Sequence, residues 1–185
     1  MGKVINKVVD SGKVWGNFVS LPKITNTHKM MNLIGTYECK TDFKGRFMMP
    51  VSLKKQLNSV VNEGFVLKRS VFNNCLELYP MKEWESMIGQ VNKLNRFVKK
   101  NNDFIRSYMS GLKMLEIDTT GRILIPKDLI SFADISKNLV LASSVNMIEI
   151  WDKDEYERVV KESLVNFGSL AEEVMGNQSH SDDLS

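Results

Sequence analysis

The feature that most constrains this chain is an internal repeat. Gly35 to Leu53 align without a gap onto Gly111 to Leu129 at an offset of 76, so that Gly35, Asp42, Gly45, Arg46, Pro50 and Leu53 recur as Gly111, Asp118, Gly121, Arg122, Pro126 and Leu129. A second block follows in each half. Asn74-Cys-Leu-Glu-Leu-Tyr79 matches Asn146-Met-Ile-Glu-Ile-Trp151, and Glu83-Trp84 matches Glu155-Tyr156, now at an offset of 72. Two blocks in the same order, separated by a length change that a loop absorbs, mark a duplicated folding unit.

Each unit reads as strand, turn, strand, short helix, hairpin and longer helix. Thr36 to Thr41 and Leu112 to Ile117 are candidate strands before the turn; Phe47 to Met49 and Ile123 to Ile125 follow it. Gly45 and Gly121 suit positive φ, and Asp42 and Asp118 can cap the turn by accepting backbone N–H bonds. Pro50 and Pro126 lack a ladder donor but fit the start of a helix. In the hairpins, Glu77 and Glu149 fall on the alternate face of their strands, which is expected to meet water. Pro80 starts one following helix and Asp152 caps the other. The expected class is α+β, with two pseudo-symmetric β-rich repeats forming a small barrel with flanking helices.

The expected divisions are an N-terminal extension over residues 1–30, a first repeat over 31–85 and a basic helical connector over 86–110. A second repeat follows over 111–160, then a helix end and an acidic disordered tail over 161–185. The tail is expected to begin near Glu172, where the sequence turns polar and Ser-rich. Charge is unevenly spread along the 185 residues: 1–30 carry +4, 31–110 carry +6 and 111–185 carry −7, which sum to the net +3. A basic first half favours a polyanionic partner more than the small total suggests.

Several chemistries find no support in the residues. No apolar run approaches the roughly 20 residues of a membrane span, and the N-terminus lacks the pattern of a secretory signal. A cytoplasmic protein is expected, nucleoid-associated where its partner is DNA. Cys39 and Cys75 read as small packed thiols, and His28 and His180 form no cluster with them, so neither a metal nor another cofactor is expected. The repeated turn offers one carboxylate, one guanidinium and backbone, with no recurring nucleophile or base, and no catalytic residue is assigned.

What the turn does offer is arginine at its rim. A guanidinium fork can grip phosphate or pair with guanine in the major groove; equally, Arg46 and Arg122 can each pair with the preceding Asp and merely stiffen the turn. The first copy places Lys40, Lys44 and Arg46 around one acid, Asp42, whereas the second has Arg122 alone beside Asp118 and Glu116. The first copy is therefore expected to dominate any contact with DNA. Lys54, Lys55, Lys68 and Arg69 are further candidates where they share that face.

With these residues assembled, the stretch from about Met31 to Val160 resembles the MraZ family of bacterial transcriptional regulators. The resemblance is carried by Gly35-Thr-Tyr-Glu38, Thr41-Asp-Phe-Lys-Gly-Arg46, Cys75-Leu-Glu-Leu-Tyr-Pro80, Glu83-Trp84, Leu115 to Pro126 and Ile148-Glu-Ile-Trp151. It implies an AbrB-like fold with pseudo-twofold halves, assembly into a ring-shaped homo-oligomer, and binding to G-containing direct repeats in double-stranded DNA upstream of a division and cell-wall operon. The family's DNA-contacting segment maps onto Asp42 and Arg46 and onto Asp118 and Arg122. Lys40, Lys44, Gly45 and Gly121 complete the expected DNA-binding set. A protein-binding ring that restrains a partner such as a neighbouring methyltransferase is the alternative function. Family members begin just before the Gly35 segment, so the expected start lies at Met30 or Met31, with a basic DNA-binding arm as the other reading of residues 1–30.

Overall fold

The strand order carries the repeat. A computed structural model describes Met31 to Gly176; residues 1–30 and 177–185, and the expectations that fall on them, including those for His28 and His180, lie outside the described residues. The first half of the chain, with the connector, supplies β1 (Thr36–Lys40), β2 (Arg46–Met48), α1 (Val51–Gln56), β3 (Phe65–Arg69), β4 (Leu76–Pro80), α2 (Met81–Val91) and α3 (Lys99–Tyr108). The second supplies β5 (Lys113–Leu115), β6 (Arg122–Leu124), α4 (Lys127–Phe132), β7 (Asn138–Ser144), β8 (Met147–Asp152), α5 (Lys153–Val165) and α6 (Phe167–Gly176). A six-stranded antiparallel sheet has the order β1-β7-β8-β4-β3-β5, which maps onto itself when the repeats are exchanged; β2 and β6 form a separate two-stranded ribbon.

Of the six ladders, four join a strand of one repeat to a strand of the other: β1 to β7, β2 to β6, β3 to β5 and β4 to β8. Neither repeat can therefore satisfy its own backbone groups, and the two halves form one folding unit. The ladders among the described residues stop short of a closed barrel. A bridge from Thr41 to Phe47 ties β1 to β2, with no matching bridge between β5 and β6.

One core fills the space between sheet and ribbon. Phe47, Met49, Leu53 and Leu57 meet their equivalents Ile123, Ile125, Leu129 and Ala133 above Leu67, Leu76, Leu78, Leu139, Leu141, Ile148 and Ile150, all buried. The prolines act where expected, with Pro50, Pro126 and Pro80 at the N-caps of α1, α4 and α2, and the Asp152 carboxylate accepts the Asp154 amide at the start of α5. Truncating Leu53 or Leu129, both with no exposed surface, would cost on the order of 2–5 kcal/mol each.

The opposite face of the sheet corrects one expectation. Alternation does place Glu77 away from that core, but the face is not wet: Val66 and Tyr79 are buried with Trp84 of α2, and Tyr108 of α3 stacks on Trp84 at 6.4 Å. Under this cover, Lys68 Nζ bonds Glu77 Oε2 at 2.8 Å, and Tyr79 donates its hydroxyl hydrogen to the same oxygen. A buried carboxylate is tolerated because it is paired with an ammonium and accepts a hydroxyl hydrogen as well. In the second repeat Ala142 stands opposite Glu149, which instead accepts the Trp151 indole N–H at 2.9 Å.

The connector contains α3, and Tyr108 packs it onto the first repeat. At the other end, α6 continues through Glu172 to Gly176, past the point where a tail was expected to begin. Phe167, Leu170 and Val174 explain this, since their spacing makes an apolar stripe along one side of the helix.

Candidate nucleic-acid interface

Both repeated turns close with the same backbone bonds. The Asp42 amide donates to Arg46 O at 2.8 Å and the Gly45 amide to Asp42 O at 2.9 Å; Asp118, Gly121 and Arg122 repeat the pattern at 2.9 Å each. Gly45 has φ 83° and Gly121 φ 86°, the conformation that a side chain resists. A Cβ on Gly45 would lie 2.5 Å from Ile130 Cδ1 and 3.0 Å from Ile125 O, whereas one on Gly121 would meet Met48 Sδ at 3.3 Å. The first turn is thus the more tightly enclosed.

The capping role of the aspartates is realised, with a difference. Asp42 Oδ1 accepts the amides of Lys44 and Arg46 at 2.9 and 3.0 Å, and Oδ2 holds the Arg46 guanidinium through Nε at 2.8 Å and an NH2 nitrogen at 2.6 Å. The Arg46 amide, followed by its guanidinium, brings the Asp42 carboxyl down to about 2. Asp118 Oδ1 instead accepts the Thr120 amide at 2.8 Å, the Thr120 hydroxyl at 2.6 Å and the Arg122 amide at 2.9 Å. The Thr120 hydroxyl is the chief cause that holds the Asp118 carboxyl below the usual aspartate range, and the attraction of Arg122 the weakest. Among the described residues, no hydrogen bond or ion pair engages the Arg122 guanidinium.

The ribbon brings both arginines together. In its register Arg46 faces Leu124, Phe47 faces Ile123 and Met48 faces Arg122. The central pair points into the core, so the flanking four side chains share the outer face, where Met48 and Leu124 are about half exposed at 49% and 50%. Arg46 and Arg122 are diagonal neighbours across this ribbon, with backbones about 7–8 Å apart. That spacing corresponds to about two base-pair steps at ~3.4 Å each.

The remaining cations divide. Lys40 ends β1 and Lys44 rides the turn, both exposed. Lys54, on α1 of the first repeat, reaches the second turn: its Nζ lies 3.7 Å from a Cβ placed on Gly121. Its equivalent at the first turn is Ile130, so the second turn borrows a charge that its own sequence lacks. Lys55 is exposed beside it. Lys68 is removed from the candidates, because it is buried on the far face of the sheet with Glu77. Arg69 is half-buried and stacks on Phe132, its guanidinium carbon 4.9 Å from the ring centroid. Phe43, at the tip of the first turn, is 91% exposed, which nothing in the sequence marks.

Burial pushes the Cys39 and Cys75 thiols up to about 11 and about 12, which suppresses thiolate chemistry at both. Among the described residues no helix is long and apolar enough to cross a membrane.

Comparison with known proteins identifies the family. A family model described as "MraZ protein, putative antitoxin-like" matches twice, over residues 33–107 and 109–177, and so recovers the repeat. A protein of Flavobacterium psychrophilum named transcriptional regulator MraZ is 65% identical over 148 residues, covering 80% of this chain and 94% of that protein. A protein of the same name from Christiangramia forsetii is 61% identical over 80% of this chain and 96% of its own length. One from Bacteroides thetaiotaomicron is 31% identical over 83% and 98% respectively. With both halves matched and its relatives covered almost end to end, the chain belongs to the MraZ family.

Proposed function

We propose that the chain is a sequence-specific DNA-binding transcriptional regulator that acts upstream of its own operon. The observation that carries this reading is the outer ribbon face, where Arg46 and Arg122 stand on one diagonal with Lys44 and Lys54 beside the two turns. A two-stranded ribbon of this kind fits the major groove, and an Arg fork pairs with guanine there. The names of the relatives supply the regulatory role. Lys40, Asp42, Lys44, Gly45, Arg46, Asp118, Gly121 and Arg122 form the site in this reading, with Lys54 added. The residues of the turns bind and orient DNA and perform no catalysis.

The reading extends to architecture. Each repeat is an AbrB-like half, 31–85 and 111–160, joined by the connector at 86–110. Several copies form a ring whose turns meet successive direct repeats, so that weak single contacts combine through effective concentration. The apolar stripe of α6, with Phe167 57%, Leu170 48% and Val174 54% exposed, is a surface suited to such self-association. The same stripe supports a second reading, in which the ring holds a protein partner. A pull-down that survives both arginine substitutions favours that reading, and loss of every partner on DNase treatment counts against it.

The decisive measurement is titration of the chain against its own upstream region and scrambled DNA at two salt concentrations. The double variant Arg46→Ala with Arg122→Ala is expected to lose preference for the upstream region while retaining weak salt-dependent binding. Equal affinity of the unaltered chain for both DNAs would overturn the reading.

A further inference from the structure

Phe43 stands at the tip of the first turn, between the capping Asp42 and Lys44, with its side chain 91% exposed. Apolar surface left in water is unfavourable, and here the backbone holds it there. The bonds of Asp42 to the Lys44 and Arg46 amides fix the loop on either side. The Lys44 ammonium lies 5.6 Å from the ring centroid. At the matching position of the second turn stands Thr119, short and polar.

The surroundings identify what covers the ring. Lys40, Lys44 and Arg46 outnumber the single carboxylate Asp42, so the partner of this tip carries negative charge around an apolar spot. The tip is also narrow and convex. A major groove about 12 Å wide accepts such a shape, whereas the side of a helix offers no recess for it. Within that groove the apolar feature is the 5-methyl group of thymine, which Phe contacts favourably, while the flanking phosphates answer the lysines.

We propose that Phe43 is a specificity-determining residue, its ring seated against a thymine methyl in the segment of DNA that the first turn contacts. This rests on the DNA-binding reading above. Because the turn is already fixed by Asp42, little conformational freedom is lost when the ring is covered. The second turn cannot make this contact, so the two turns prefer different base sequences.

The test uses the full chain and its own upstream region, with each thymine of the footprinted segment replaced in turn by deoxyuridine, which lacks only the methyl group. The unaltered chain is expected to lose affinity roughly fourfold at one such position, the factor that about 0.8 kcal/mol for one buried methyl represents. Phe43→Thr is expected to bind the thymine DNA less tightly by a similar or larger factor and to ignore the replacement. Its salt dependence should stay unchanged, whereas Lys44→Ala should lower the slope by about one. Phe43→Leu, which keeps an apolar side chain, should retain part of the discrimination. Indifference of the unaltered chain to every replacement overturns the proposal, as does discrimination that survives in Phe43→Thr. A fall in native assembly mass in Phe43→Thr also overturns it, by placing the ring between copies. If the unaltered chain prefers its upstream region but no methyl matters, only the role of Phe43 fails. If it shows no preference at all, the regulatory reading fails as well.

Discussion

The two turns share a backbone and differ in how they treat their arginine. In the first, Asp42 grips the Arg46 guanidinium with its second oxygen; in the second, the Thr120 hydroxyl shares Asp118 Oδ1 with the Arg122 amide, and among the described residues nothing pairs with the Arg122 guanidinium. The first side chain is oriented by a carboxylate that also offsets its charge, and the second carries its charge without such a partner among the described residues. Their surroundings invert the same contrast, with Ile130 behind the first turn and Lys54 behind the second. Duplication conserved the scaffold and allowed charge to move between its halves. Counting lysines along the sequence therefore overstates the imbalance between the turns.

The comparison can be broken most severely at the glycines. Gly45→Ala combines a disfavoured backbone conformation with a contact against the Ile125 carbonyl, and should lower the unfolding free energy by about 3 kcal/mol. Gly121→Ala meets no backbone, only the side-chain ends of Met48 and Lys54, and should cost about 1–2 kcal/mol. Urea denaturation measures both, and equal losses would remove the claim that the first turn is more tightly enclosed. At the arginines, Arg46→Ala is expected to weaken specific DNA binding by roughly 10- to 100-fold, within the range for one guanine contact. Arg122→Ala should cost less, because ordering a free side chain offsets part of what its contact contributes. A larger loss for Arg122→Ala in the same titration would reverse that ranking.

At the lysines the effects are smaller and of a different kind. Lys44→Ala and Lys54→Ala should each reduce the salt slope of binding by about one, across all DNA sequences alike. A normal slope for Lys54→Ala would show that the second turn works without its borrowed charge. The smallest effect is one of acidity. Asp42 titrates at about 2 in the folded chain, below the roughly 3.9 of an unfolded aspartate. Its charged form therefore favours folding above about pH 4, and this contribution fades as pH falls from there through about 2. Removing the Arg46 side chain should raise the Asp42 value in a carboxyl NMR titration. Asp118 should respond to Thr120→Ala more than to Arg122→Ala, because the Thr120 hydroxyl is the main cause of its shift.

Local chemistry was legible in the sequence. Gly45 and Gly121 announced positive φ, Asp42 and Asp118 announced caps, and Pro50, Pro80, Pro126 and Asp152 marked helix starts, because each of these roles involves only residues a few positions apart. The face of Glu77 followed from alternation, but its burial did not. That depends on Lys68 across the hairpin and Tyr108 from a helix about thirty residues later. The closeness of Lys54 to Gly121 was likewise hidden, since it exists only once the repeats are set against each other. One clue was present: a threonine two residues after a capping aspartate can engage the carboxylate and displace an arginine.

The symmetry of the ribbon has a further consequence. The exchange of repeats pivots on the Phe47–Ile123 pair, so turning the head end for end on a duplex would leave the backbone in nearly the same place and swap the two turns. The shape alone therefore has no direction. Under the proposed function, a heading along the duplex arises only from the residues that diverged after duplication, Lys40 against Glu116, Phe43 against Thr119, Lys44 against Thr120 and Ile130 against Lys54 among them. Making those pairs alike should leave a protein that still holds DNA but no longer distinguishes upstream from downstream.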